Sequence, residues 1–158
     1  MIREFNASTD TEILKQCIIE LQNYEYQFDS RMLKGEGIAD DYIGDMVDKC
    51  LKYNGIILVI NTDDGIAGYL TLLINVPTEE VYDGDYDYAL VRDIAVLECF
   101  KGRGYGKLLL NEATRIARDK NARWLRLQVL ADNQIAKNLY KTAGFRELYV
   151  DMEKDLLE

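Results

Sequence analysis

The sequence contains no histidine. That removes Ser-His-Asp and Cys-His catalytic pairs, and every metal site that needs an imidazole ligand. It has one proline and no stretch rich in glycine and serine, so neither a linker nor a disordered half is expected. Its three cysteines, Cys17, Cys50 and Cys99, are odd in number, far apart and without CxxC spacing. They read as reduced, mostly buried thiols of a cytoplasmic protein, not as a disulfide framework. Met1-Ile2-Arg3-Glu4 does not open a signal peptide, and the longest strongly apolar run, Ile56 to Ile60, is too short to span a membrane. Positive charge is scarce as well. Nineteen Lys and Arg stand against 28 Asp and Glu, for a net charge of −9, which argues against generic nucleic-acid binding.

What is present is enough for a core. The chain has 158 residues, 48% of them hydrophobic and 30% charged, the length and composition of one globular domain spanning residues 1–158. The charge is unevenly placed. Residues 1–100 carry 7 basic and 20 acidic side chains, net −13; residues 101–146 carry 11 and 3, net +8; residues 147–158 carry 1 and 5, net −4. One basic stretch in an acidic protein fits an anionic ligand bound there. It fits a solvated, arginine-rich helix face equally well.

Periodicity gives a coarse order of elements. Ile2 to Phe5 reads as a short strand. Thr9-x-x-Glu12 has capping-box spacing, and Ile13, Cys17, Leu21, Tyr24 and Phe28 follow at helical intervals, which predicts a helix over about 9–28. A second helix is predicted from about Ile38 to Tyr53. Gly55 to Ile60 and Ile66 to Val76 form a hairpin around Thr62-Asp63-Asp64-Gly65, and Tyr86 to Leu97 is a long strand. A helix to about Lys120 follows, with Leu108, Leu109, Ala113, Ile116 and Ala117 as its apolar stripe; then a strand from Arg123 to Leu130. Asp132 or Asn133 caps a helix ending near Ala143, and Arg146 to Lys154 alternates like a final strand. The order β-α-α-β-β-β-α-β-α-β describes a single α/β domain with a mixed central sheet.

Between the long strand and the third helix lies Lys101-Gly102-Arg103-Gly104-Tyr105-Gly106. Glycine lets backbone N–H groups approach a ligand without an intervening Cβ, and a helix N-terminus presents unpaired donors and a positive dipole end. Together they suit a phosphate. A P-loop requires Gly-Lys-Ser/Thr, but Lys107 is followed by Leu108. A dinucleotide fingerprint requires G-x-G-x-x-G, and here the spacing is G-x-G-x-G. A tight strand-to-helix turn with no ligand is the other reading of the glycines.

This segment, with the apolar strand Val91 to Val96 before it and Lys107-Leu-Leu-Leu-x-x-Ala113 after it, resembles the Gln/Arg-x-x-Gly-x-Gly/Ala motif of the GCN5-related N-acetyltransferases (GNAT family). Asn133-x-x-Ala136-x-x-Leu139-Tyr140-x-x-x-Gly144-Phe145 resembles the family's second block. The resemblance implies a GNAT-like fold and acetyl-CoA as co-substrate, with no metal. It places the pyrophosphate on backbone N–H groups of Lys101, Gly102, Arg103, Gly104, Tyr105 and Gly106. Backbone groups of Ile94, Ala95 and Val96 would pair with the pantetheine arm, and Asn133 would contact it or simply cap its helix. Lys101 stands where the family has Gln or Arg, so a point charge replaces a bidentate donor.

The implied chemistry is direct attack of a primary amine on the thioester. The resemblance assigns Tyr140 as the general acid that protonates the departing thiolate. For the general base, some members carry a glutamate on the strand before the loop; here that position is Arg92, with Asp93 beside it. Adjacent strand residues face opposite ways, so Asp93 is a candidate base and no automatic replacement. Water, or Glu20 or Glu25 on the first helix, are the others. Tyr24-Glu25-Tyr26 at the end of the first helix and the acidic, tyrosine-rich segment Glu79 to Tyr88 suit a cationic small molecule or a basic peptide as acceptor; a solvated acidic loop is the other reading of that segment. The rival reading is a non-catalytic acyl-CoA-binding regulatory module. Oligomeric state is open, with a homodimer among the options.

Overall fold

A computed structural model describes residues 1–158. Strand β1 (Ile2–Glu4) leads into helix α1 (Ala7–Tyr26), and after a short 3-10 turn comes α2 (Ala39–Lys52). Strands β2 (Ile56–Thr62), β3 (Gly65–Pro77) and β4 (Asp87–Val96) follow as a meander. A second 3-10 turn precedes α3 (Tyr105–Asp119), then β5 (Leu125–Arg126) and α4 (Gln134–Thr142). The sheet order is β1-β2-β3-β4-β5, antiparallel throughout except for the parallel β4–β5 pair.

Residues Ala67 to Ile74 of β3 are buried without interruption. A strand buried at every position has both sheet faces covered. Met46 of α2 receives the Thr71 hydroxyl at 3.0 Å, so α2 covers the face of β3 that carries Tyr69 and Thr71. The other face is left to α3, which buries Leu109, Leu110, Ala113 and Ala117. Leu110, not Leu108, joins that stripe, and Leu108 is exposed. The core also takes Leu14, Cys17 and Ile18 from α1 and Tyr140 from α4.

Three expectations are corrected. Helix α1 begins two residues before the predicted capping box, because Asn6 is the cap and accepts the Ser8 N–H at 3.0 Å. Thr9 instead donates its hydroxyl to Asp10. The strand expected over 123–130 shrinks to Leu125–Arg126, since β4 offers it only Ala89 and Leu90 as ladder partners. The final strand expected over 146–154 does not form. A two-residue β5 is too short to template another strand, and Val150 and Met152 find no covering layer and stay exposed. Ion pairs hold this segment instead: Arg31 donates to both Glu153 oxygens at 2.7 and 2.9 Å, and Lys137 lies 3.6 Å from Glu147.

Candidate active site

The site begins where the sheet opens. Beyond Leu90, β4 keeps its ladder to β3 but has no partner on its β5 side. Ile94, Ala95 and Val96 therefore lie on a free strand edge that runs directly into the glycine loop. Gly102 and Gly104 both adopt left-handed backbone, φ 76° and 81°, and a Cβ at either would point into open space. Such φ values are costly for residues with a side chain. Gly104 is the N-cap of α3, so the loop delivers unpaired N–H donors of the first helical turn to a surface no side chain obstructs. Gly106 has a different task. A Cβ there would meet Leu139 Cδ2 at 3.2 Å, so this glycine sets the close packing of α3 on α4. The loop's cations lie against the protein itself. Lys101 pairs with Glu98 at 2.5 Å and sits 4.8 Å above the Tyr24 ring; Arg103 reaches the Cys99 carbonyl at 3.3 Å.

Opposite the free edge stands α4. Asn133 caps it, accepting the Ala136 N–H at 3.2 Å, and also receives the Tyr24 hydroxyl at 3.4 Å. Tyr24 thus spans the gap between Lys101 and Asn133. Tyr140 is 9% exposed, and its ring meets Phe145 edge-on at 6.1 Å. Burial first, and the charge of Glu25 second, push its phenol up to about 12. It stays protonated at neutral pH, as a proton donor must.

A second polar group lies under α2. The β3–β4 register passes from Thr71↔Asp93 to Leu72↔Val91, so Arg92 is an extra residue, a bulge. The bulge cancels the alternation expected between Arg92 and Asp93, and both side chains meet Tyr42. The tyrosine hydroxyl donates to Asp93 Oδ1, and the Arg92 guanidinium lies 4.8 Å over the ring. Arg92 is anchored to Asp45 at 2.6 Å and approaches Asp93 Oδ2 at 3.8 Å. Asp93 is 7% exposed, and burial raises its carboxyl above the ordinary range, opposed by Tyr42 and Arg92. Asp93 Oδ2, Arg92 Nη1 and the Tyr69 hydroxyl are buried without a hydrogen-bond partner in the protein.

The two carboxylates of α1 separate. Glu20 accepts the Glu98 N–H at 2.9 Å, capping the 3-10 turn, which removes it as a free base. Glu25 has no ion-pair partner; burial, then Asp93, raises its carboxyl. Glu79, Glu80, Asp83 and Asp85 are on the exposed loop before β4, where Arg126 grips Tyr86 at 2.6 Å and stacks 4.2 Å from the Tyr88 ring. Tyr42 and Tyr69 were not expected as site residues, since nothing local in the sequence tells a polar contact from packing; Tyr24 was expected only on the acceptor side, with Glu25 and Tyr26. No three His, Cys, Asp or Glu side chains cluster as a metal site, and no helix is long and apolar enough to cross a membrane.

The model of the acetyltransferase (GNAT) family matches residues 20–145. The chain belongs to that family, and its α/β fold with a mixed five-stranded sheet is the family's. It is 40% identical over 68 residues to the uncharacterized N-acetyltransferase YycN of Bacillus subtilis (strain 168), a match covering 43% of this chain and 44% of that one. The crystal structure of YycN superposes with a TM-score of 0.73 at 23% identity, covering 100% of this chain and 99% of that one. A thialysine N-epsilon-acetyltransferase of Bos taurus is 29% identical over 94% of this chain and 85% of its own. The structure of AAC(6')-Iy with the bisubstrate analogue CoA-S-monomethyl-acetylneamine has a TM-score of 0.69 at 18% identity, covering 98% of this chain and 97% of that one.

Proposed function

We propose that this protein is an acetyl-CoA-dependent N-acetyltransferase for a cationic primary amine, built as one domain over residues 1–158. The observation that carries the reading is the free β4 edge leading straight into left-handed Gly102 and Gly104 at the N-terminus of α3. An amide-bearing arm completes such an edge, and a pyrophosphate sits on such a terminus. Ile94, Ala95 and Val96 would hold the arm. Lys101, Gly102, Arg103, Gly104, Tyr105 and Gly106 would hold the phosphates through backbone N–H groups. Asn133 orients α4 beside the arm.

Asp93 takes one proton from the acceptor ammonium at its unpartnered, buried Oδ2 by way of water, and passes it to solvent. The freed amine attacks the thioester carbonyl. A C–N bond forms, the C–S bond breaks, and Tyr140 protonates the departing sulfur. The proton the nitrogen sheds on becoming an amide restores Tyr140. Glu25, unpaired beside these groups, favours a positively charged acceptor. The bovine relative, named for acetylating an N-epsilon group, supports an amine on a flexible stem.

The test measures free thiol released from acetyl-CoA against a panel of diamines, aminoglycosides and basic peptides, with product mass confirming N-acetylation. Tight acetyl-CoA binding with no transfer to any amine would favour a regulatory acyl-CoA-binding module. Three unpaired cysteines accord with a cytoplasmic setting, though only Cys17 is buried as expected; Cys50 is half-buried and Cys99 exposed. A homodimer is compatible with this reading and is tested by sedimentation of the same preparation.

A further inference from the structure

The resemblance puts a glutamate of some family members where this chain has Arg92, and Asp93 is the carboxylate beside it on β4. A buried aspartate can serve only if one oxygen is kept available and the other is held. Every element packed around Asp93 contributes a group. From α2 come Tyr42, Asp45 and Cys50; from β3, Tyr69 and Thr71; from α1, Glu25; from its own strand, Arg92. Of these, Tyr42 donates a hydrogen bond to Asp93 at Oδ1, and the Thr71 hydroxyl, 3.0 Å from Met46 Sδ, also favours the charged carboxylate. Arg92 alone brings a positive charge, and its guanidinium is fixed by the Tyr42 face and by Asp45. The Arg92 side chain is 16% exposed, so water screens it little.

From this geometry we infer that Tyr42 and Arg92 are positioning residues for Asp93: the hydroxyl pins Oδ1, the guanidinium stands 3.8 Å from Oδ2 and steadies it, and Oδ2, buried and without a hydrogen-bond partner, receives the acceptor's proton through water. The inference rests on the assignment of Asp93 as base. In this arrangement the extra residue of the bulge gives the strand a cation in the place of the family's acid. Asp45 and the Tyr42 ring aim that cation, and the carboxylate one position on takes up the chemistry. The two donors also oppose what burial does to Asp93. Removing either favours the protonated carboxyl, which cannot accept a proton.

The experiment follows kcat/KM across pH for the full chain and for Tyr42→Phe, Arg92→Gln, Arg92→Lys and Asp93→Asn. Carbon-13 NMR of labelled aspartate titrates Asp93 itself, and thermal melts confirm folding. The acid limb and the Asp93 titration should both move to higher pH, by about 1–3 pH units in Arg92→Gln and by roughly 1–2 in Tyr42→Phe. Arg92→Lys should bring both back toward the parent. Asp93→Asn with undiminished kcat would overturn the base assignment. An inactive Asp93→Asn, together with an unmoved limb and titration in a folded Tyr42→Phe or Arg92→Gln, would overturn the positioning role alone. Either variant decides the matter if the other does not fold.

Discussion

The two halves of the site are made of different material. The half assigned to coenzyme A is backbone: a free strand edge, two left-handed glycines and the first turn of α3, all within residues 94–107. The half proposed to handle protons is side chain: Glu25 from α1, Tyr42 from α2, Arg92 and Asp93 from β4, Tyr140 from α4. Backbone recognition is insensitive to which side chains surround it, so it survives in a short motif. Side-chain chemistry has to be assembled across the fold, and each contributing element is free to vary.

Breaking the side-chain half should cost most. Tyr140→Phe should lower kcat by about 10²–10⁴-fold, the usual worth of one general acid. Calorimetry should find acetyl-CoA affinity nearly unchanged, because the backbone half is intact. Equal activity in the Phe variant would assign the ring to packing against Phe145.

Breaking the backbone half should do the reverse. Gly104→Val puts a β-branched side chain at φ 81° and across the donors. Acetyl-CoA affinity should fall by roughly 10–100-fold, the worth of one hydrogen bond to a charged group. Gly106→Ala sharpens the contrast. Its Cβ meets Leu139 Cδ2 at 3.2 Å, on the side away from the loop's donors, so any change should appear in the melting temperature and affinity should stay the same.

A second buried aspartate serves as a control for Asp93. Asp10, with its side chain 3% exposed, accepts from Arg3 at 2.6 and 3.0 Å, from the Asn6 N–H at 2.8 Å and from Thr9 at 2.9 Å. Both oxygens are satisfied, and the Arg3 hydrogen bonds hold its carboxyl well below the usual range. Asp10→Asn should therefore cost about 1–3 kcal/mol of stability at neutral pH without touching catalysis. A depressed carboxyl stabilises the fold above its unfolded pKa. The gap between parent and variant in urea melts should close as pH drops below about 4.

The smallest effect expected is electrostatic steering. With residues 1–100 at net −13 and 101–146 at net +8, an ammonium acceptor and a polyanion are drawn to different regions. The kcat/KM for a cationic acceptor should fall with salt over a Debye length of roughly 8 Å. Neutralising Glu79, Glu80, Asp83 and Asp85 should flatten that fall by a few-fold at most. An identical salt slope in both proteins would leave the acidic loop a solvated surface.

The same division explains what could be read from the sequence. The glycine loop and the Asn133–Tyr140 block were legible because each lies within one short stretch of chain. Asn133 as a cap follows from its place just before the helix, and Tyr140 came through the family resemblance. The bulge at Arg92 was not legible, since it depends on how β3 registers against β4. It reverses the inference that neighbours on a strand must part company. The length of β5 escaped for a related reason: Arg123 to Leu130 has strand composition, but only Ala89 and Leu90 are offered to it. The alternation of 146–154 promised a strand whose ladder partner never forms. Asn6 displaced Thr9 as the cap because Asp10 claimed the threonine hydroxyl.

The unpaired edge of β4 ties ligand concentration to the thermodynamics of folding. An open row of amides is unfinished sheet, and a chain that fills it adds a strand the polypeptide does not encode. A ligand bound to the folded state alone stabilises it by mass action, about 2.7 kcal/mol when present at 100 times its Kd. With coenzyme A as the proposed ligand, its supply would act as a folding partner, and a cell short of it would hold a larger share of this chain open to edge-to-edge association and proteolysis.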